Sequence, residues 1–102
     1  MDRIDEFKQF IASRPDDPMP RYALGMEYKN RGQHDEAIQT FKDLVALKPD
    51  FAAGYQQCGM LLAKLGRAEE AKTLYRNGIE AAARSKNWHA KSEMEGFLDE
   101  LE

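Results

Sequence analysis

One cysteine, one tryptophan, four prolines and no long apolar run mark this chain of 102 residues. Each scarcity excludes something. Cys58 has no second cysteine to pair with, which fits a reducing compartment and leads to the expectation of a cytoplasmic protein. The longest apolar stretch near the middle is 60–63, far short of the ~18 residues a membrane span needs. The first residues, Met-Asp-Arg-Ile-Asp-Glu, are too acidic for a secretory signal. A formal net charge of −3 argues against nucleic acid, whose phosphates favour a basic stripe.

Chemistry-bearing motifs are missing as well. Neither C-x-x-C nor H-x-x-x-H spacing occurs, so no metal site is expected. No glycine-rich phosphate loop or nucleophile elbow is present, so neither a cofactor nor an enzyme is expected. His34 stands exposed at a helix entry in this reading, His89 lies in the first turn of the last helix, and Cys58 reads as a small buried hydrophobe.

What the chain does have is a period. Gly25, Gly32, Ala37 and Phe41 recur 34 residues later as Gly59, Gly66, Ala71 and Tyr75. Met26 and Glu36 recur as Met60 and Glu70, and Pro15 precedes Pro49 by the same offset. Small residues at fixed places in such a period mark a helix–turn–helix solenoid. Hydrophobic 42% and charged 32% suit an ordinary soluble helical domain, long enough for a modest core.

Apolar residues follow helical spacing throughout, and nothing alternates as a strand would. The pattern predicts a first helix over 2–13, stopped by Pro15 and Pro18, and a second from Pro18–Pro20 to Arg31, ended by Gly32. A third spans 34–47 before Pro49, and a fourth covers 51–65 before Gly66. The fifth begins near Ala68 and should run a turn longer, because Ala83 stands where the period puts proline. Asn87 is a plausible N-cap for a last helix over 88–101, with Met94, Phe97, Leu98 and Leu101 on one face. The stretch 88–102 holds five acids against Lys91 alone, read as the solvated face of a terminal helix, the alternative being an acidic interaction surface.

The segment 18–51 resembles a tetratricopeptide repeat: Leu24, Gly25, Tyr28, Gly32, Ala37, Phe41 and Pro49 fall where that family's pattern wants them. A second copy, 52–85, keeps Tyr55, Gly59, Gly66, Ala71 and Tyr75 and departs at Cys58, Leu62, Gly78 and Ala83. The resemblance implies an all-α, right-handed α-α superhelix of about six helices, forming one domain over 1–102. Within it, 1–15 is a half-repeat helix, 18–51 and 52–85 are full repeats, and 88–102 is a capping helix. The expected core is Leu24, Tyr28, Ala37, Phe41, Leu44, Tyr55, Leu62, Ala71, Tyr75, Phe97 and Leu101. Gly25 and Gly59 are expected where a neighbouring helix backbone comes too close for a side chain.

In that family the first helix of each pair lines a concave groove that takes up peptides. The resemblance thus implies a groove with Met19, Tyr22, Met26, Lys29 and Asn30 from one repeat and Ala53, Gln56, Met60, Ala63 and Lys64 from the next. Tyr22, Met26, Gln56 and Met60 would form its floor, the two methionines offering adaptable thioethers. The other reading packs the methionines under the outer helices or into a homodimer contact. Carboxylate clamping, as in chaperone-binding members, is not expected: Tyr22, Met26 and Gln57 occupy the positions that need lysine or asparagine. Trp88 should seal the end of the stack against the fifth helix, the alternative being an interface anchor. The function expected is a non-catalytic module for a protein or peptide partner, with structural self-association as the competing class and an enzyme of unknown type as a distant third.

Overall fold

A computed structural model describes residues 2–102, which form six helices and no strand. They are α1 (Arg3–Ser13), α2 (Pro18–Asn30), α3 (His34–Leu47), α4 (Ala52–Lys64), α5 (Ala68–Arg84) and α6 (Trp88–Leu101). Each packs on its predecessor, and the array extends over 42 × 29 × 18 Å, an elongated right-handed stack.

Two kinds of corner alternate at first. Proline corners join α1 to α2 and α3 to α4, where the missing amides of Pro15 and Pro49 forbid further helix. Asp17 then caps α2, its carboxylate accepting from the Met19 amide at 3.0 Å. Glycine corners join α2 to α3 and α4 to α5. Gly32 (φ 75°) and Gly66 (φ 80°) take the left-handed conformation that closes each helix. The following amides, of Gln33 and Arg67, donate to the carbonyls of Tyr28 and Leu62, each at 2.9 Å.

The α5–α6 corner breaks the alternation. It has the glycine-corner geometry, with the Asn87 amide donating to the Ala82 carbonyl at 2.8 Å, but Lys86 (φ 58°) holds the left-handed position. The Asn87 side chain caps α6 by accepting from the Ala90 amide at 3.2 Å. As expected without a proline, α5 is longer, 17 residues against 14 in α3. Arg84, in its added turn, donates to the Pro49 carbonyl at 3.1 Å and pairs with Asp50 at 2.6 Å, fastening α5 to the α3–α4 corner.

Three more residues of helix and one fewer in the corner displace α6 by two, so its register follows α4 at 36 residues instead of 34. Buried Pro20, Gly54 and Ala90 are equivalent, as are buried Leu24, Cys58 and Met94. This corrects the cap. Phe97 and Leu101 are only half-buried, and Ala90 and Met94 supply the buried positions, since α6 has neighbours on one side alone. Trp88 is also corrected: it sits in the first turn facing outward, 60% exposed, and seals nothing.

The other expected core residues are buried, joined by Ile38, Leu61, Leu74, Ala81 and Ala82. At the mid-helix glycines the crowding comes from side chains and not, as expected, from helix backbone. A Cβ on Gly59 would lie 2.6 Å from the Tyr75 ring, so an aromatic side chain, not helix backbone, claims the space. The stack ends on charge: Glu95 stands at the α6 equivalent of Gly25 and Gly59, and Arg3 at the α1 equivalent of Ala37. Glu95 pairs with Lys91 at 3.1 Å and Arg3 with Glu27 at 3.4 Å, each within the chain.

Candidate functional site

Every second helix, α2, α4 and α6, contributes to one face. Two hydrogen bonds tie its rows together: Lys29 Nζ to Gln57 Oε1 and Gln56 Nε2 to Glu93 Oε1, each 3.2 Å. The helical period explains the arrangement. On α4, Cys58, Gly59, Leu61 and Leu62 turn into the core, leaving Gln56, Met60 and Lys64 on the side away from it.

From α2, Met19 is 55% exposed, Tyr22, Met26 and Lys29 are half-buried and Asn30 is exposed. From α4, Gln56, Ala53 and Ala63 are half-buried, Met60 is 36% exposed and Lys64 is exposed. Tyr22 has an aromatic setting of its own, its ring centroid 6.2 Å from that of Phe41 and 5.8 Å from that of Phe51. Met26 touches the core from its half-buried place, whereas Met60 stands further out. Charge is unequal across the face: Lys29 and Lys64 lie on α2 and α4, and Glu93, Asp99 and Glu100 lie on α6.

The α6 row escaped the sequence reading. His89, Gly96, Asp99 and Glu100 are the equivalents, 36 residues on, of Ala53, Met60, Ala63 and Lys64. The signal was present in the spacing of Gly54 from Ala90 and of Cys58 from Met94, but the two-residue displacement takes it out of the 34-residue period.

No cluster of three or more potential metal ligands occurs among the described residues, nor does an enclosed pocket. Cys58 is fully buried, and burial pushes its thiol up to about 11, which leaves it protonated and unreactive. His34 is half-buried, not exposed: its Nδ1 is covered at the entry to α3 and has no hydrogen-bond partner. His89 is exposed and lies 3.4 Å from Glu93. Such a surface offers contact area and charge, with no assembled nucleophile, base or ligand set. Among the described residues no helix is long and apolar enough to cross a membrane.

Comparison with known proteins agrees with this geometry. Two tetratricopeptide repeat family models match, over residues 28–92 and 6–39. A tetratricopeptide repeat domain protein from Salinibacter ruber, solved by NMR, superposes with a TM-score of 0.81 at 32% identity, covering 86% of this chain and 89% of that one. The chain is 25% identical to a TPR repeat-containing protein of Pseudomonas aeruginosa over 97% of its own length and 94% of the relative's. It is 30% identical to small glutamine-rich tetratricopeptide repeat-containing protein 2 of Mycosarcoma maydis across 76% of its length, and spans 22% of that longer protein.

Proposed function

The chain belongs to the tetratricopeptide repeat family, and we propose that it is a non-catalytic module binding a peptide or helix of a protein partner on its concave face. Domains of this family bind protein partners and are generally non-catalytic. In this reading one domain is made of the half-repeat 1–15, the repeats 18–51 and 52–85, and the cap 88–102. The groove residues are Tyr22, Met26, Lys29, Asn30, Gln56, Met60 and Lys64, with Met19 at the rim.

One observation carries the reading: two of the large apolar side chains left exposed, Met19 and Met60, stand on successive helices of this face. Methionine there presents a deformable apolar surface to a ligand of variable shape. Lys29 and Lys64 border it with cations suited to orienting a partner.

Replacing Met19 and Met60 together by glutamate tests the reading. Both are exposed, so folding stability should change by only about 0.5 kcal/mol per site. The immobilised wild-type chain should retain a partner from native lysate that the double variant loses, with circular dichroism and Tm nearly unchanged. Equal recovery by the folded variant would move the interaction to another surface.

A further inference from the structure

The helices of the stack are of two kinds. α1, α3 and α5 share one register, and α2, α4 and α6 share the other. A repeat joins one of each, α2 with α3 and α4 with α5, which leaves α1 and α6 as one half each among the described residues. The halves are complementary: α6 is of the kind that begins a repeat and α1 of the kind that completes one. In phase, α1 of a second copy is the helix that would follow α6.

The apolar residues of both end faces suit such a join. Phe7 and Phe10 hold the places of the wholly buried Phe41 and Leu44, yet Phe7 is half-buried and Phe10 is 44% exposed. On α6, half-buried Leu98 holds the place of the wholly buried Leu62. Two charged side chains oppose it. Inside each repeat an aromatic ring lies over a glycine, Phe41 over Gly25 and Tyr75 over Gly59. At the join the same pair would be Phe7 over Glu95. A Cβ alone on Gly25 would lie 2.5 Å from the Phe41 ring, and Glu95 brings a carboxylate as well. Arg3 is the obstacle on the other face, standing where Ala37 and Ala71 are wholly buried. Their charges are opposite, but a join would bury both, and a buried ion pair offsets its lost hydration only in very good geometry. Apart, each keeps water and a partner in its own chain: Glu95 pairs with Lys91 at 3.1 Å and Arg3 with Glu27 at 3.4 Å.

We propose that Glu95 and Arg3 keep this chain from stacking on itself, and that without them α6 of one copy accepts α1 of the next to complete a further repeat. Such a contact is head-to-tail, so it grows without closing. The inference concerns the end faces and is independent of the groove reading. Its consequence for the groove is that each copy's concave face stays a separate unit.

Sedimentation equilibrium tests it with each end freed in turn. Glu95→Gly combined with Gly96→Ala frees α6 and moves a glycine by one residue without adding one; a Cβ at Gly96 meets nothing within 4 Å. Arg3→Ala frees α1. Wild type and each of these two chains alone should be monomers. Mixed in equal amounts, the two should form one-to-one pairs at least about a hundredfold tighter than any wild-type association, because each chain still has one blocked end. The chain carrying all the changes should give species whose mass rises steadily with concentration. Adding Phe10→Glu to that chain should restore the monomer, since Phe10 would enter the join where Leu44 stands in α3. Circular dichroism checks that every variant keeps its helices.

Wild-type chains that assemble, and lose the assembly with Phe10→Glu, overturn the block; this arm depends on no change at Glu95. Folded variants that stay monomeric, alone and mixed, up to ~1 mM overturn the complementarity of the ends. Assembly by either freed chain alone would remove the other chain's remaining charge from the role.

Discussion

The ring of Phe41 fills the space a side chain on Gly25 would need: a Cβ at Gly25 would lie 2.5 Å from Cε1 and 2.8 Å from Cδ1 of that ring. The glycine and the aromatic are thus two halves of one contact between α2 and α3. Gly59 and Tyr75 repeat it between α4 and α5.

Gly25→Ala should therefore destabilise despite alanine's better helix propensity. Phe41 is wholly buried and has little room to retreat, so overpacking should cost ~1–3 kcal/mol. Urea unfolding measures this. Adding Phe41→Leu should make the two changes non-additive, the double variant losing less than the sum of the singles. Simple additivity would break the link between the residues.

Lys86→Gly should stabilise the chain. Lys86 adopts φ 58°, the position that Gly32 and Gly66 hold in the two equivalent corners. A left-handed L-residue costs ~1–2 kcal/mol, offset in part by the greater freedom of glycine in the unfolded chain. A net gain of about 1 kcal/mol corresponds to ~4–8 °C in Tm for a domain of this size. A lowered Tm would show that the lysine side chain contributes more than the strain removes.

Acid should remove the support that Asp2 gives. The Arg31 guanidinium hydrogen-bonds its carboxylate and holds its pKa down at about 2, against an ordinary 3.8. A depressed folded-state pKa contributes stability above the unfolded value, and that contribution disappears as pH falls from about 4 to about 2. The stability difference between wild type and Asp2→Asn should accordingly be present at pH 6, be much reduced at pH 2 and vanish below it. Because the pair is exposed, salt should shrink it. A difference that persists unchanged at pH 2 would assign it to something other than charge.

Cys58 should resist alkylation in the folded protein and react on unfolding. It is fully buried, and its thiol is pushed up to about 11, so little thiolate exists at neutral pH. Iodoacetamide labelling followed across a urea titration should rise with the unfolding transition. Rapid labelling in buffer would reveal local opening of α4.

The chain itself, read residue by residue, determined the number of helices, their ends and their pairing. Pro15, Pro49, Gly32 and Gly66 act on the backbone of their own turns, whatever surrounds them. The longer α5 and the Asn87 cap were legible for the same local reason. The recurrence of Gly25 and Phe41 as Gly59 and Tyr75 was legible because a solenoid puts equivalent residues into equivalent surroundings. That the ring of each aromatic, and not helix backbone, fills the space over its glycine is decided by the packing of α3 on α2 and α5 on α4. The equivalence of surroundings ends at α6. Whether Phe97, Leu101 or Met94 is covered depends on how many helices lie beside α6, and no local preference counts neighbours. The outward turn of Trp88, the open space over Gly96 and the Gln56–Glu93 contact arise likewise from the docking of α6, displaced by two residues from the period that the sequence displays.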